Sequence, residues 1–140
     1  MNKILNLVIA LGLLVVQSCS VADPKQEDVL GTWKTDDGAM FTFNSDGTFS
    51  SENLSGEKMF ERKEYYGKTY NESGTWELKN QSGKWRVHLN FYKVGDSKGG
   101  VGSQLNIAGE KGIASNKPPW YLFKYVGDPD DGMMYEFRKS

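Results

Sequence analysis

Cysteine is all but missing from this 140-residue chain, which holds Cys19 and no other. An internal disulfide is therefore excluded, and so is a zinc site built on paired thiolates. Histidine is as scarce, with His88 alone. No Ser-His-Asp order, nucleotide-binding glycine fingerprint or heptad run occurs. An excess of one sign of charge is lacking too: 17 lysines and arginines face 18 aspartates and glutamates, for a net of −1. With no basic stripe, nucleic acid is not an expected partner. The one long apolar run, Ile4 to Val16, covers 13 residues, short of the roughly 20 that cross a bilayer as a helix. Past that run alanine and leucine are sparse, whereas glycine (16 residues in the full chain) and aromatics (13% of it) are frequent, a mix that favours strands and turns.

The apolar run follows Lys3 and has the size of the core of a secretory signal, which is removed from the mature protein. Directly behind it stand Val16, Gln17, Ser18 and Cys19. This resembles the lipobox of bacterial lipoprotein signal peptides, with an aliphatic residue three before the cysteine and a small residue just before it. The resemblance implies cleavage between Ser18 and Cys19 and acylation of the new N-terminal cysteine, palmitate included. The other reading of Cys19 is a free thiol or half of an intermolecular disulfide. A buried acyl chain is worth about 0.8 kcal/mol per methylene, and stable anchoring needs more than one chain. Residues 1–18 thus read as a lipoprotein signal peptide, 19–28 as lipidated cysteine and tether, and 29–140 as one domain. The polar tether from Ser20 to Asp28 can reach at most roughly 30 Å. Because Ser20 is not aspartate, the same resemblance implies the outer membrane, with the domain facing the periplasm of the cell envelope.

Through the remainder, short alternating segments are separated by turn chemistry. Strands are expected over Val29–Lys34, Ala39–Asn44 and Thr48–Glu52, then a polar loop or short helix over Asn53–Lys63. Further strands are expected over Glu64–Tyr70, Gly74–Lys79, Lys84–Val94, Gln104–Ala108, Pro118–Val126 and Met133–Lys139, with a loop over Gly95–Ser103. The clearest alternation sets Trp85, Val87, Leu89 and Phe91 against Arg86, His88, Asn90 and Tyr92. Asn44–Gly47 and Asn80–Gly83 are hairpin turns, in which glycine supplies positive φ. The expected architecture is all-β: a small antiparallel up-and-down barrel of about eight strands, whose closure removes exposed edges.

A Gly-Thr-Trp triplet occurs twice, at Gly31–Trp33 and Gly74–Trp76, alongside the hairpin from Phe41 to Phe49 and the closing Tyr135–Lys139. In these marks the chain resembles the lipocalin-like small bacterial lipoproteins. That resemblance implies a first-strand tryptophan sealing the barrel floor beneath an arginine from the last strand. It makes Gly31, Trp33 and Arg138 a structural plug, with the guanidinium stacked on the indole. A glycine two residues ahead of a tryptophan also allows a backbone or bulky ring to approach closely.

Chemistry beyond this is thin. His88 has no second histidine or cysteine as a fellow ligand, so a solvent-facing role outweighs a base or metal ligand. The acidic Asp128–Asp131 and the Asp36–Asp37 pair are ordinary turn residues rather than a calcium loop. No metal, cofactor or enzymatic activity is expected. Phe41, Phe43, Trp76, Trp85, Phe91, Trp120 and Phe123 could line an apolar cavity, or could fill the core outright, because an eight-stranded barrel is just wide enough to be packed by its own side chains. Two functions follow: a membrane-tethered binder of a small apolar or amphipathic ligand, or an envelope lipoprotein with a filled barrel that binds a protein, as an assembly factor or toxin immunity protein.

Overall fold

The structure, a computed structural model, describes residues 22–110 and 117–140. Eight strands form the body: β1 (Gly31–Lys34), β2 (Met40–Phe43), β3 (Thr48–Glu52), β6 (Ser73–Gln81), β7 (Lys84–Phe91), β8 (Val101–Gly109), β9 (Trp120–Tyr125) and β10 (Met134–Lys139). They close in the order β1-β10-β9-β8-β7-β6-β3-β2, each strand antiparallel to both neighbours. The protein is therefore an all-β, eight-stranded, up-and-down barrel of lipocalin-like layout. Two short strands, β4 (Leu54–Ser55) and β5 (Thr69–Tyr70), pair apart from it, and two one-turn helices, α1 (Gln26–Val29) and α2 (Gly56–Met59), flank the strands.

Alternation decides which side chains fill the barrel. Along β7, Val87, Leu89 and Phe91 are buried and pair with Leu105, Ser103 and Val101 of β8, while Asn90 faces water. The β6–β7 hairpin closes through Ser82 and Gly83, both at positive φ (53° and 80°), as the twist of a two-residue hairpin demands. At the β2–β3 turn Gly47 takes φ +83°, and the Asp46 carboxylate accepts from the Thr48 amide (2.9 Å) and hydroxyl (2.6 Å).

The two Gly-Thr-Trp triplets need glycine for different reasons. Gly31 sits at φ +106°, where the chain leaves α1 for β1; side chains other than hydrogen are strained there. Gly74 has an ordinary φ, but a Cβ on it would lie 2.0 Å from the Asn90 carbonyl oxygen and 2.9 Å from the Phe49 ring. The missing side chain lets β7 and that ring close in.

Several boundaries differ from the sequence expectation. Val29 ends α1 instead of opening a strand. The strand expected over Glu64–Tyr70 contracts to Thr69–Tyr70, and Lys63–Tyr65 forms a 3-10 turn that buries Tyr65. In the opposite direction, β8 extends through Val101–Ser103, expected to be loop. Gly102 disfavours a strand, but pairing of Val101–Ser103 with Leu89–Phe91 of β7 overrides that preference. The tether shortens as well: Pro24 is buried, and the Asp23 carboxylate accepts from Trp85 Nε1 at 3.2 Å, so the chain is docked on the barrel from Asp23 onward.

Candidate functional site

Both ends of the barrel are stoppered. At the end where β1 begins, Trp33 is fully buried and its Nε1 donates to the Val29 carbonyl of α1 at 2.8 Å. The cation over this indole is Lys139, with Nζ 5.4 Å from the ring centroid and donating to the Asp28 carbonyl at 2.9 Å. Arg138, expected to stack on Trp33, is instead 4.3 Å from the Tyr121 ring and pairs with Glu136 at 2.6 Å. Register is the cause. Lys139 lies opposite Trp33 on the adjacent strand and shares its inward face, whereas Arg138 lies opposite Lys34 and Tyr121 on the outward one.

The other end is closed by the segment between β3 and β6. Its Leu54, Met59, Phe60 and Tyr65 are buried in the core, and Phe60 meets Phe91 edge to face at 5.2 Å. The Ser55 amide donates to the Tyr135 hydroxyl at 3.2 Å, and Lys58 stands 5.2 Å from the Tyr135 ring while pairing with Asp37 at 2.8 Å. Burial pushes the Tyr135 hydroxyl up to about 12. Hydrogen bonds from Lys58, then Thr35, hold the Asp37 carboxyl below its ordinary value.

Between the stoppers, rings interlock. Phe41 contacts Phe43 (5.4 Å), Phe49 (5.6 Å), Phe91 (6.5 Å) and Phe137 (5.1 Å), and each of the five is at most 2% exposed. Phe41, Phe43 and Phe91, candidates for a ligand cavity, are therefore core. Trp120 also faces inward and is buried, its Nε1 without a hydrogen-bond partner. Phe123 faces outward, in a cluster with Ala108, Tyr121 and Tyr125, because it lies one residue out of phase with Leu122. Trp85 is half-buried at the β7 end and bonded to Asp23. The expected apolar set thus does not converge on one space.

An open, mainly polar groove of about 970 Å³ lies beside the stopper segment. It is bounded by Phe60, Glu61, Arg62 and Tyr65 of the stopper segment, by Trp76, Glu77, Lys79, His88 and Asn90 of β6 and β7, and by Gly102–Gln104 and Lys124 of β8 and β9. Of the expected cavity residues only Trp76 lines it, its Nε1 donating to the Asn44 carbonyl at 3.0 Å. Lys79 pairs with Glu77 at 3.3 Å and Arg62 approaches Glu64 at 3.8 Å. His88 Nε2 is buried without a hydrogen-bond partner. Lys124, on an inward position of β9, is half-buried, and its Nζ reaches Ser103 Oγ at 3.5 Å. Burial lowers its pKa from the ordinary lysine value, opposed by the charge of Glu61.

The acidic Asp128–Asp131 stretch is a capped 3-10 turn, with the Asp128 carboxylate accepting from the Asp130 amide at 3.0 Å. Among the described residues no three His, Cys, Asp or Glu side chains gather as a metal site, and no helix is long and apolar enough to cross a membrane. Cys19 and the signal segment lie outside the described residues. The alternation marks the barrel; the groove is not legible in the sequence, because its lining comes from six scattered segments with no common spacing. No family model, curated protein or solved structure matches the chain.

Proposed function

We propose that this chain is a lipid-anchored envelope protein whose filled barrel serves as a rigid scaffold, presenting its groove and outer strands to a protein partner. The observation that carries this is the packed interior: five phenylalanine rings, fully buried and in mutual contact, lie between two stoppered ends. A small-ligand carrier needs an apolar cavity with access, and the aromatic residues that would line one are spent on packing. The polar groove is open, and its rim mixes cations, anions and aromatics in the manner of a protein contact.

Acylation of Cys19 would set the geometry of presentation. With the chain docked from Asp23 onward, three residues, 20–22, separate Cys19 from that point, a span of about 14 Å at most. The end bearing Asp23 and Trp85 would then face the bilayer and the stopper segment would be directed away from it. Assembly factors and toxin immunity proteins are the partner classes that suit such a module.

The deciding experiment is site-specific photo-crosslinking in intact host cells. A probe at Gln104 or Lys79, in the groove, is expected to capture a defined protein that a probe at Glu136 does not. Equal capture from all three positions, or native mass spectrometry showing a retained apolar small molecule in the unlipidated domain, would overturn the reading.

A further inference from the structure

Lys124 stands out among the cations of the groove. Lys79 has Glu77 and Arg62 has Glu64 within salt-bridge distance. Among the described residues no carboxylate pairs with Lys124, although it is half-buried where a lone charge is least well solvated. Among the described residues its only contact of hydrogen-bond type is the Ser103 hydroxyl at 3.5 Å, the long limit for such a bond. Ser103 Oγ itself donates to the Met59 carbonyl at 3.3 Å, so a rotatable O–H and a three-donor ammonium share one wall of the groove. The Ser103 hydroxyl is already engaged by the Met59 carbonyl and meets at most one of the three ammonium donors. An incoming oxyanion would serve the other two, since charge-assisted bonds are shorter and about twice as strong as neutral ones.

We propose that the groove binds an oxyanion, carboxylate or phosphate, at Lys124 Nζ, with the Ser103 hydroxyl, held by the Met59 carbonyl, accepting one N–H and so orienting the ammonium. Glu61 and Glu77 on the rim keep the groove from being a general anion sink and favour a ligand that is acidic at one point. The inference extends the partner reading: an acidic side chain or chain terminus of a partner would be one source of the oxyanion, and a free small acid another.

The test uses the soluble domain with isotope-labelled methyl groups on its lysines, followed by nuclear magnetic resonance during titration with sodium phosphate, sodium acetate and a glutamate-containing peptide. Sodium chloride of matched ionic strength is the control. The Lys124 signal is expected to shift saturably with phosphate or acetate, while those of exposed Lys34 and Lys93 move only as in chloride. At ten times Kd, phosphate should raise the wild-type Tm by about 5 °C, and Lys124→Met should abolish that gain. Ser103→Ala should weaken binding several-fold without abolishing it. A Lys124 signal that follows Lys34, or a gain that persists in Lys124→Met, overturns the proposal; should that variant not fold, the wild-type titration decides. Saturation by the ions but not by the peptide supports the oxyanion site and counts against a peptide partner there.

Discussion

At the scale of single residues, the outcome of a substitution here depends on what a side chain would meet, more than on its type. Gly74 shows this best, since a methyl group would sit 2.0 Å from a carbonyl oxygen of β7. Overpacking of this kind costs about 1–3 kcal/mol, so Gly74→Ala is expected to lower Tm by about 10 °C, measured by thermal denaturation. Gly38→Ala gives the contrast: a Cβ there meets nothing within 4 Å, and its cost comes only from φ +92°. Lys139 and Arg138 make a second pair. Lys139→Met removes the cation over Trp33 and the bond to the Asp28 carbonyl, and should cost about 1 kcal/mol and alter tryptophan fluorescence. Arg138→Ala acts at Tyr121 on the outer face and should leave the Trp33 signal unchanged. The triplet at Gly31–Trp33 was legible in the sequence; its cation was not, because neighbours in sequence point to opposite faces of a strand and only register tells which one meets the indole.

At the scale of elements, the segment between β3 and β6 behaves as a stopper held by titratable contacts, and its pH dependence has a definite sign. The Asp37 carboxyl is held below its ordinary value by Lys58 and Thr35, so its contribution is full above that ordinary value and is lost as pH falls through the lower, folded one. Both partners are about half exposed (43% and 46%), which limits the contribution to less than about 1 kcal/mol. Amide exchange in residues 56–66 should accelerate on acidification below about pH 4, and Asp37→Asn should remove much of that dependence. Tyr135 works at the other limit. Its hydroxyl is raised to about 12 by burial, so its contribution is intact below about pH 10 and is lost as pH rises from there toward 12. Tyr135→Phe should flatten the alkaline limb of the stability profile while losing about 1 kcal/mol near neutrality through the bond to the Ser55 amide. Neither contact was visible in the sequence, where Asp37 reads as a turn residue and Asn53–Lys63 as a polar loop or short helix.

At the scale of the whole molecule, closure, filling and docking act together. A barrel with no free edge, stoppered at both ends, leaves its outside as the surface on which recognition can occur. A fluorescent apolar dye should therefore bind the native domain no better than a well-packed control protein, and bind only after acid or heat loosens the stopper. Under the proposed anchoring, Cys19→Ser should move the protein from the membrane to the soluble fraction of host cells, and inserting a ten-residue polar spacer after Val21 should leave Tm within about 1 °C, since it lies ahead of the docked Asp23. Capture of a partner that depends on distance from the bilayer should fall with the spacer.

The sequence by itself determined that this is an all-β barrel with a first-strand tryptophan, because alternation of period two, turn glycines and aromatic content are local properties that survive any arrangement. Tertiary structure alone decided three things. It set which cation covers Trp33, through the β1–β10 register; it filled the barrel with rings expected to line a cavity; and it brought Lys124 and Ser103 together from two strands. Those are matters of which residues become neighbours once the sheet curls closed, and distance through space is not written in distance along the chain.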